Sequence, residues 1–392
     1  MYFYKNHFTT SMIPSLKLFH LIKSLGKHEK AYFKLFCKNR AGETSGYVRL
    51  FDAIDNQKEY DEEKIKLFFK GHSFIKRLSA VKGYLYHSIL QSLCLFYSGK
   101  TLEGKISKVL EFGKALFNKG LWEQSESIIL KAKQLALSND MFPPVLEALR
   151  IEHWIISQKP NSLNTDDSTK KLYAEEKEIL RKHGNICAYN NLLSQVVRLK
   201  NKFVYAREKY HNSAFRHIMQ NPLLKHIDKA LSFEAQVLFY KIKIAFYEIN
   251  SNLKKCFEYG KGMVEIFERG MITNENRFKK YIHALYSLSS IEITLGRYAA
   301  AEETSKKIKN VPLAFPGFAT EELFIFLFKL TAMNESHLYL SSGDFAKGMG
   351  IVRENEKGLK RFGEKIENQI KLAIHYNMSY LCFGNGEYRV AL

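Results

Sequence analysis

Gly296-Arg297-Tyr298-Ala299-Ala300-Ala301 is the stretch that decides how this chain folds. A glycine is followed by any residue, then an aromatic, then a small side chain three residues further on. The same order recurs at Gly120-Leu121-Trp122…Ser125, at Gly343-Asp344-Phe345…Gly348 and at Gly386-Glu387-Tyr388…Ala391. Seven residues before each glycine stands another small residue: Gly113, Ser289, Ser336 and Ser379. Three before it stands an apolar one: Phe117, Ile293, Leu340 and Phe383. The physical reading is a helical hairpin. A glycine just past a helix end takes a left-handed backbone without a Cβ clash. The aromatic packs in the crook, and the two facing small positions let the helices approach closely. Each hairpin leaves an apolar face that the next one covers. A weaker fifth copy lies at Ser251-Asn252-Leu253…Cys256, 45 residues before Gly296.

This spacing resembles the tetratricopeptide repeat, and the best local match is Val109…Phe112-Gly113…Leu116…Gly120-Leu121-Trp122…Ser125…Ile129…Ala132. The resemblance covers roughly residues 102–137 and 230–392. The last three glycines are 47 and 43 residues apart, against a usual period of about 34, so these repeats carry longer helices or loops. Ser305 and Val352 replace the aromatic usual in the second helix. The whole chain, with Leu21-Ile22-Lys23-Ser24-Leu25 and Gln220-Asn221-Pro222-Leu223-Leu224, is also similar to uncharacterised tetratricopeptide-type proteins of Bacteroidetes, a likeness that supplies no function. The resemblance implies an all-α chain: a helical N-terminal domain followed by a tetratricopeptide-like α-solenoid of antiparallel helix pairs. Its expected groove would be lined by first-helix side chains such as Tyr339, Glu292 and Asn334.

The remaining sequence agrees with helices. Leu16, Leu18, Phe19, Ile22 and Leu25 recur at helical spacing, and Gly26 ends that helix. A second helix carries Ala31 to Phe36, Asn39–Gly46 reads as a loop, and a third helix runs from Tyr47 to Gln57. Asp61 reads as an N-cap with Glu62 and Glu63 in the first turn. A long helix follows from about Phe74 to Tyr97. Breaks are expected at Asn161–Ser168, at Asn221-Pro222 and, third, over the stretch marked by Val311-Pro312 and Phe315-Pro316-Gly317. The domain reading is an extension expected to be disordered over 1–11 with Met12 as a candidate start, a helical N-terminal domain over 12–100, hairpins including one repeat over 101–225, and repeats over 226–392. The sequence stops at Ala391-Leu392, inside a second helix, so the last first helix is expected to present its apolar face to a continuation or a partner.

Composition supports a large core: 46% of residues are apolar, with 22 Tyr, 29 Phe and only 7 Pro. The formal charge is +20, which attracts nucleic acid or acidic partners, although a generally solvated Lys-rich surface explains the spread equally simply. The five cysteines, Cys37, Cys94, Cys187, Cys256 and Cys382, are far apart and fit buried thiols in a reducing compartment. No run approaches a membrane span and the first residues lack a signal-peptide pattern, so a cytoplasmic location without membrane is expected.

Ser98-Gly99-Lys100-Thr101 lacks the upstream glycine of a phosphate loop, because Cys94 stands there, and reads as a helix end. The 13 histidines form no zinc motif, and His211 and His217 fall on different helix faces. Glu62-Glu63, Glu175-Glu176 and Glu302-Glu303 read as solvated faces. No catalytic, cofactor or metal residues are assigned. Lys23, Lys27, Lys30, Lys34 and Lys38 recur at three- and four-residue spacing and could form a basic stripe, or simply the wet face of a hairpin. The expected function is a non-enzymatic scaffold binding a protein or peptide in a solenoid groove. The alternative is a nucleic-acid-associated regulator using the basic N-terminal domain; an enzyme with a dispersed site ranks third.

Overall fold

Short polar side chains start the helices. Asp61, Thr101, Ser232, Asn252, Thr320 and Asp344 each accept a hydrogen bond from the backbone amide three residues on, satisfying donors that have no partner inside the helix. The computed structural model describes residues 15–41, 46–99, 101–158, 165–205, 217–270 and 275–391. Among these described residues there are seventeen α-helices and no strand. The extension 1–11, the segments 42–45 and 161–164 of the expected loops, Lys100 and His211 lie outside them.

The chain divides into two compact units, one ending at Ala132 and one beginning at Lys133. The first holds α1 (Ser15–Ser24), α2 (Lys27–Ala41), α3 (Gly46–Asp55), α4 (Glu62–Phe68), α5 (Leu78–Ser98), α6 (Leu102–Asn118) and most of α7 (Trp122–Leu137). Its core gathers Leu18, Ile22, Phe33, Leu50, Phe51, Ile54, Ile65, Phe69, Leu85 and Ile89. The Phe33 and Phe51 rings meet at 4.8 Å. The α6 and α7 pair closes through Gly113, where a Cβ would fall within the Ile129 side chain.

The second unit continues with α8 (Phe142–Gln158) and α9 (Thr165–Tyr205). Then come α10 (Phe233–Ile249), α11 (Leu253–Arg269), α12 (Glu275–Thr294), α13 (Tyr298–Ala314), α14 (Glu321–Ser342), α15 (Phe345–Phe362), α16 (Asn368–Gly384) and α17 (Tyr388–Ala391). The 41-residue α9 packs on both α8 and α10. From α10 to α17 every helix packs on the next, and α14 also packs on both α12 and α16. Val237, Met263, Phe267, Phe278, Leu285 and Ile308 belong to the largest buried cluster of this unit.

The turns between paired helices share one conformation. Gly120, Gly296, Gly343 and Gly386 have φ of 76°, 71°, 73° and 82°. Two further positions join them with side chains present: Ser251 at 53° and Asp140 at 54°. After five of these six residues the next amide donates to the carbonyl five residues earlier: Leu121 to Leu116, Met141 to Ala136, Asn252 to Tyr247, Arg297 to Glu292 and Glu387 to Cys382, whereas after Gly343 the Asp344 amide donates to Ser342 Oγ at 3.3 Å. The former is the six-to-one bond of a helix C-cap. The facing small positions also meet. Ser125 Oγ donates to the Gly113 carbonyl at 2.7 Å, Ser289 Oγ to that of Ala301 at 3.4 Å, and Cys256 Sγ to that of Ile244 at 3.7 Å.

Several expectations are corrected. The break marked by Val311-Pro312 and Phe315-Pro316-Gly317 falls after Pro312: α13 runs through it to Ala314, and a single 3-10 turn, Pro316–Phe318, follows. Only the Ile308 carbonyl loses its amide partner, and the helix ends two residues later, so the cost is confined to a terminal turn. The segment 39–41 belongs to α2, and α3 begins at Gly46. Cys94 and Cys187 are exposed; Cys37, Cys256 and Cys382 are buried.

Left-handed backbone penalises a Cβ by about 1 kcal/mol. Ser251→Gly should therefore raise unfolding stability by about that amount in a urea titration. Asp140→Gly should not, because Asp140 Oδ2 accepts the Glu234 amide at 2.9 Å and its loss offsets the relief.

Candidate functional site

The elbow residues form a ladder. Trp122, Tyr298 and Phe345 are each half-buried at the first position of a second helix, whereas Tyr388 is exposed. Tyr298 Oη donates to the Ser341 carbonyl at 2.8 Å. Phe345 lies against Gly384, where a Cβ would fall inside the ring. Ser341 and Gly384 each stand two residues before the next elbow glycine, so one elbow touches the same place on the following one. Gly348 is equally confined: a Cβ there would come within 2.7 Å of Leu381 Cδ2. Ser336 Oγ donates to the Ala332 carbonyl and accepts from Asn355 Nδ2. Ser379 and Ala391 are half-buried. These residues are structural, and none of them is arranged for chemistry.

Two of the expected groove residues are interior instead. Glu292 and Asn334 are 5% and 2% exposed, in a polar seam between α12, α13 and α14. Ser289 Oγ donates to Asn334 Oδ1 at 2.8 Å, Thr304 Oγ1 to Glu292 Oε2 at 2.9 Å, and Ser305 Oγ to Glu335 Oε1 at 3.0 Å. Lys309 closes the seam, reaching Glu335 at 2.8 Å and Glu354 at 2.7 Å. Burial raises the Glu335 carboxyl above its ordinary value. Burial also pulls the Lys309 ammonium down, but its bonds to Glu335 and Glu354 outweigh that and raise it. Repeat register places a residue on a helix; it does not tell which face the next hairpin covers. Tyr339 is half-buried against the α16 core.

The accessible chemistry of the first helices lies elsewhere. Lys241 on α10 and His283 on α12 are both exposed. Lys280, also on α12, meets Glu234 of α10 at 2.5 Å. The Phe326 ring of α14 stands edge-on to the His283 ring, centroids 5.0 Å apart. Crowding by the surrounding helices lowers the Lys241 ammonium pKa; Glu234 opposes this and Lys280 adds to it. Crowding lowers the His283 imidazole too, helped by the Lys241 charge. Two helices thus bring two ammonium groups and one carboxylate together, with the His283 imidazole beside Lys241. Sequence reading missed the group because its members are 39 and 3 residues apart, and only the packing order joins them.

A second accessible feature is a cleft of about 450 Å³ between α8 and α9, lined by Leu146, Glu147, Arg150, His153, Trp154, Glu176 and Leu180. Arg150 stacks 5.0 Å from the Trp154 ring centre, and His153 Nε2 lies 3.8 Å from Glu176 Oε2. Beneath it, Lys133 is 8% exposed and bridges Glu152 at 2.9 Å and Glu175 at 3.1 Å.

The basic stripe is divided by the fold. Lys30 pairs with Asp55 at 2.6 Å, Lys34 with Asp52 at 2.7 Å, and Lys23 donates to the Asp55 carbonyl. Lys27 and Lys38 are exposed. The α3 carboxylates therefore neutralise the middle of the stripe. Among the described residues, no group of three His, Cys, Asp or Glu could hold a metal ion, and no helix is long and apolar enough to cross a membrane. Comparison with models of known families, with curated proteins and with solved structures found no match.

Glu292 gives a sign-defined test of the seam. Burial raises its carboxyl pKa, opposed by the Thr304 hydroxyl and Arg297. The native state then holds a proton more tightly than the unfolded chain, so ionised Glu292 lowers stability once pH exceeds the ordinary glutamate value. Glu292→Gln should raise stability at pH 7, with the advantage shrinking as pH falls toward that value. Urea titrations at several pH values check this; a pH-independent or destabilising effect contradicts it.

Proposed function

We propose that the chain is a non-enzymatic, tetratricopeptide-like scaffold that docks a segment of another protein across the outward faces of its successive first helices. One observation carries the reading. The first helices lie in series, α12 against α14 and α14 against α16, with α10 tied to α12 through Glu234 and Lys280. Lys241, His283 and Phe326 stand along three of them. Such a row suits an extended or helical segment, because neighbouring helices offer side chains at regular intervals along one line. The residues singled out by the repeat are occupied in holding hairpins together, which leaves recognition to the variable outward positions. A reducing, cytoplasmic setting fits the unbridged cysteines.

The nucleic-acid reading has less support. It relied on the α1–α2 lysines, and Lys23, Lys30 and Lys34 are engaged with α3. The measurement that separates the readings uses a displayed random-peptide library, followed by hydrogen exchange with an enriched peptide. Slowed exchange in 233–249, 275–294 and 321–342 is expected. Absence of any enriched peptide, or protection confined to other helices, contradicts the proposal.

A further inference from the structure

On the docking face Lys280 is paired with Glu234 at 2.5 Å, and Lys241 brings a second ammonium to that one carboxylate. Lys241, Lys280 and His283 come from two adjoining helices, and Glu234 is the carboxylate within the group. An ammonium and an imidazole whose pKa values fall on folding mark a place where positive charge is crowded and incompletely solvated. A carboxylate delivered there relieves both strains: it supplies the opposite charge and accepts hydrogen bonds from the two lysines. Phe326, edge-on to His283 and half-buried against the core of this unit, leaves part of its ring accessible beside the charge. Specific protein recognition commonly combines such an aromatic anchor with complementary charge.

We propose that Lys241, Lys280 and His283 bind the carboxylates of an acidic partner segment, with an apolar side chain of that segment packing on Phe326. This rests on the docking face described under the proposed function and names its partner by charge. A nucleic-acid backbone fits the place less well. The cations form a short cluster with Glu234 inside it, and the next lysine along, Lys279, is paired with Glu275 at 2.7 Å. A continuous row of phosphates would meet those acids.

The arrangement also fixes a pH response. His283 feels the Lys241 charge from α10 and meets the Phe326 ring of α14, while Lys280, three residues before it on its own helix, is held by Glu234 of α10. Crowding by the surrounding helices, and then the Lys241 charge, disfavour the protonated imidazole in the free protein. A bound carboxylate draws a proton onto it, so binding takes up a proton and affinity rises as pH falls from 8 to 6.

The test uses the full chain and a fluorescent peptide of alternating Glu and Leu, with a Lys/Leu peptide and a single-stranded oligonucleotide as comparison probes, read by polarisation. The Glu/Leu peptide should bind, and Lys241→Glu should weaken it about tenfold or more, as reversal of a close charge partner does. Lys254→Glu, an equal charge change at an exposed position of α11, should leave affinity within about twofold. Binding should strengthen from pH 8 to pH 6, and His283→Gln should flatten that dependence. Equal weakening by Lys241→Glu and Lys254→Glu would mean attraction to net charge alone and would overturn the proposal. So would oligonucleotide binding that depends on Lys241 while the acidic peptide fails to bind. Should library peptides protect the same helices while acidic peptides do not bind, the docking face stands and its assignment to an acidic partner falls.

Discussion

A backbone amide reaching back over a left-handed residue to a carbonyl five positions earlier is what the paired helices depend on. At Leu121, Met141, Asn252, Arg297 and Glu387 this bond caps one helix and reverses the chain into the next. It fixes where the second helix starts, and with it which side chains face across the pair. The two small positions then meet twelve residues apart, as Ser125 with Gly113 and Ser289 with Ala301, and Cys256 reaches the Ile244 carbonyl over the same interval. Larger residues there would push the helices apart, as the crowded surroundings of Gly113 and Gly348 make plain.

Where glycine is absent the same turn is held by other means. Asp140 accepts the Glu234 amide at 2.9 Å and lies 4.0 Å from Arg277, whose guanidinium stacks 4.3 Å from the Phe233 ring centre. The start of α8 is thereby tied to the starts of α10 and α12, and the extra bonds compensate for the strained backbone. Behind the elbows, the second unit also tolerates buried polar groups. Lys133 with Glu152 and Glu175, and Lys309 with Glu335 and Glu354, are pairs whose desolvation is met by close partners. Such pairs add little net stability but penalise any packing that separates them.

The all-α architecture and the elbows were legible because Gly120, Gly296, Gly343 and Gly386 advertise a conformation that other residues resist. Ser251 was visible only as a weak copy and Asp140 not at all, since a side chain in the left-handed region leaves no compositional mark. Asp61 could be read as a cap from its place before two acids, and it does cap α4. The face proposed for docking was not legible. Glu292 and Asn334 sit on the right helices but face inward, because burial depends on where α14 and α13 settle. Lys241 and His283 gain meaning only when α10 and α12 lie side by side. The lysine run at 23–38 looked continuous in sequence, yet Asp52 and Asp55 arrive from α3 to divide it.

The role proposed for the outward faces rests on this division of labour: the repeated residues are consumed by helix pairing, which leaves the positions that vary between hairpins exposed. All of it requires that the elbow bonds exist. Amide hydrogen exchange resolved by residue tests them most directly. The amides of Leu121, Met141, Asn252 and Arg297 should exchange far more slowly than unprotected loop amides although each lies outside a helix; exchange at unprotected rates at those four positions would contradict the account.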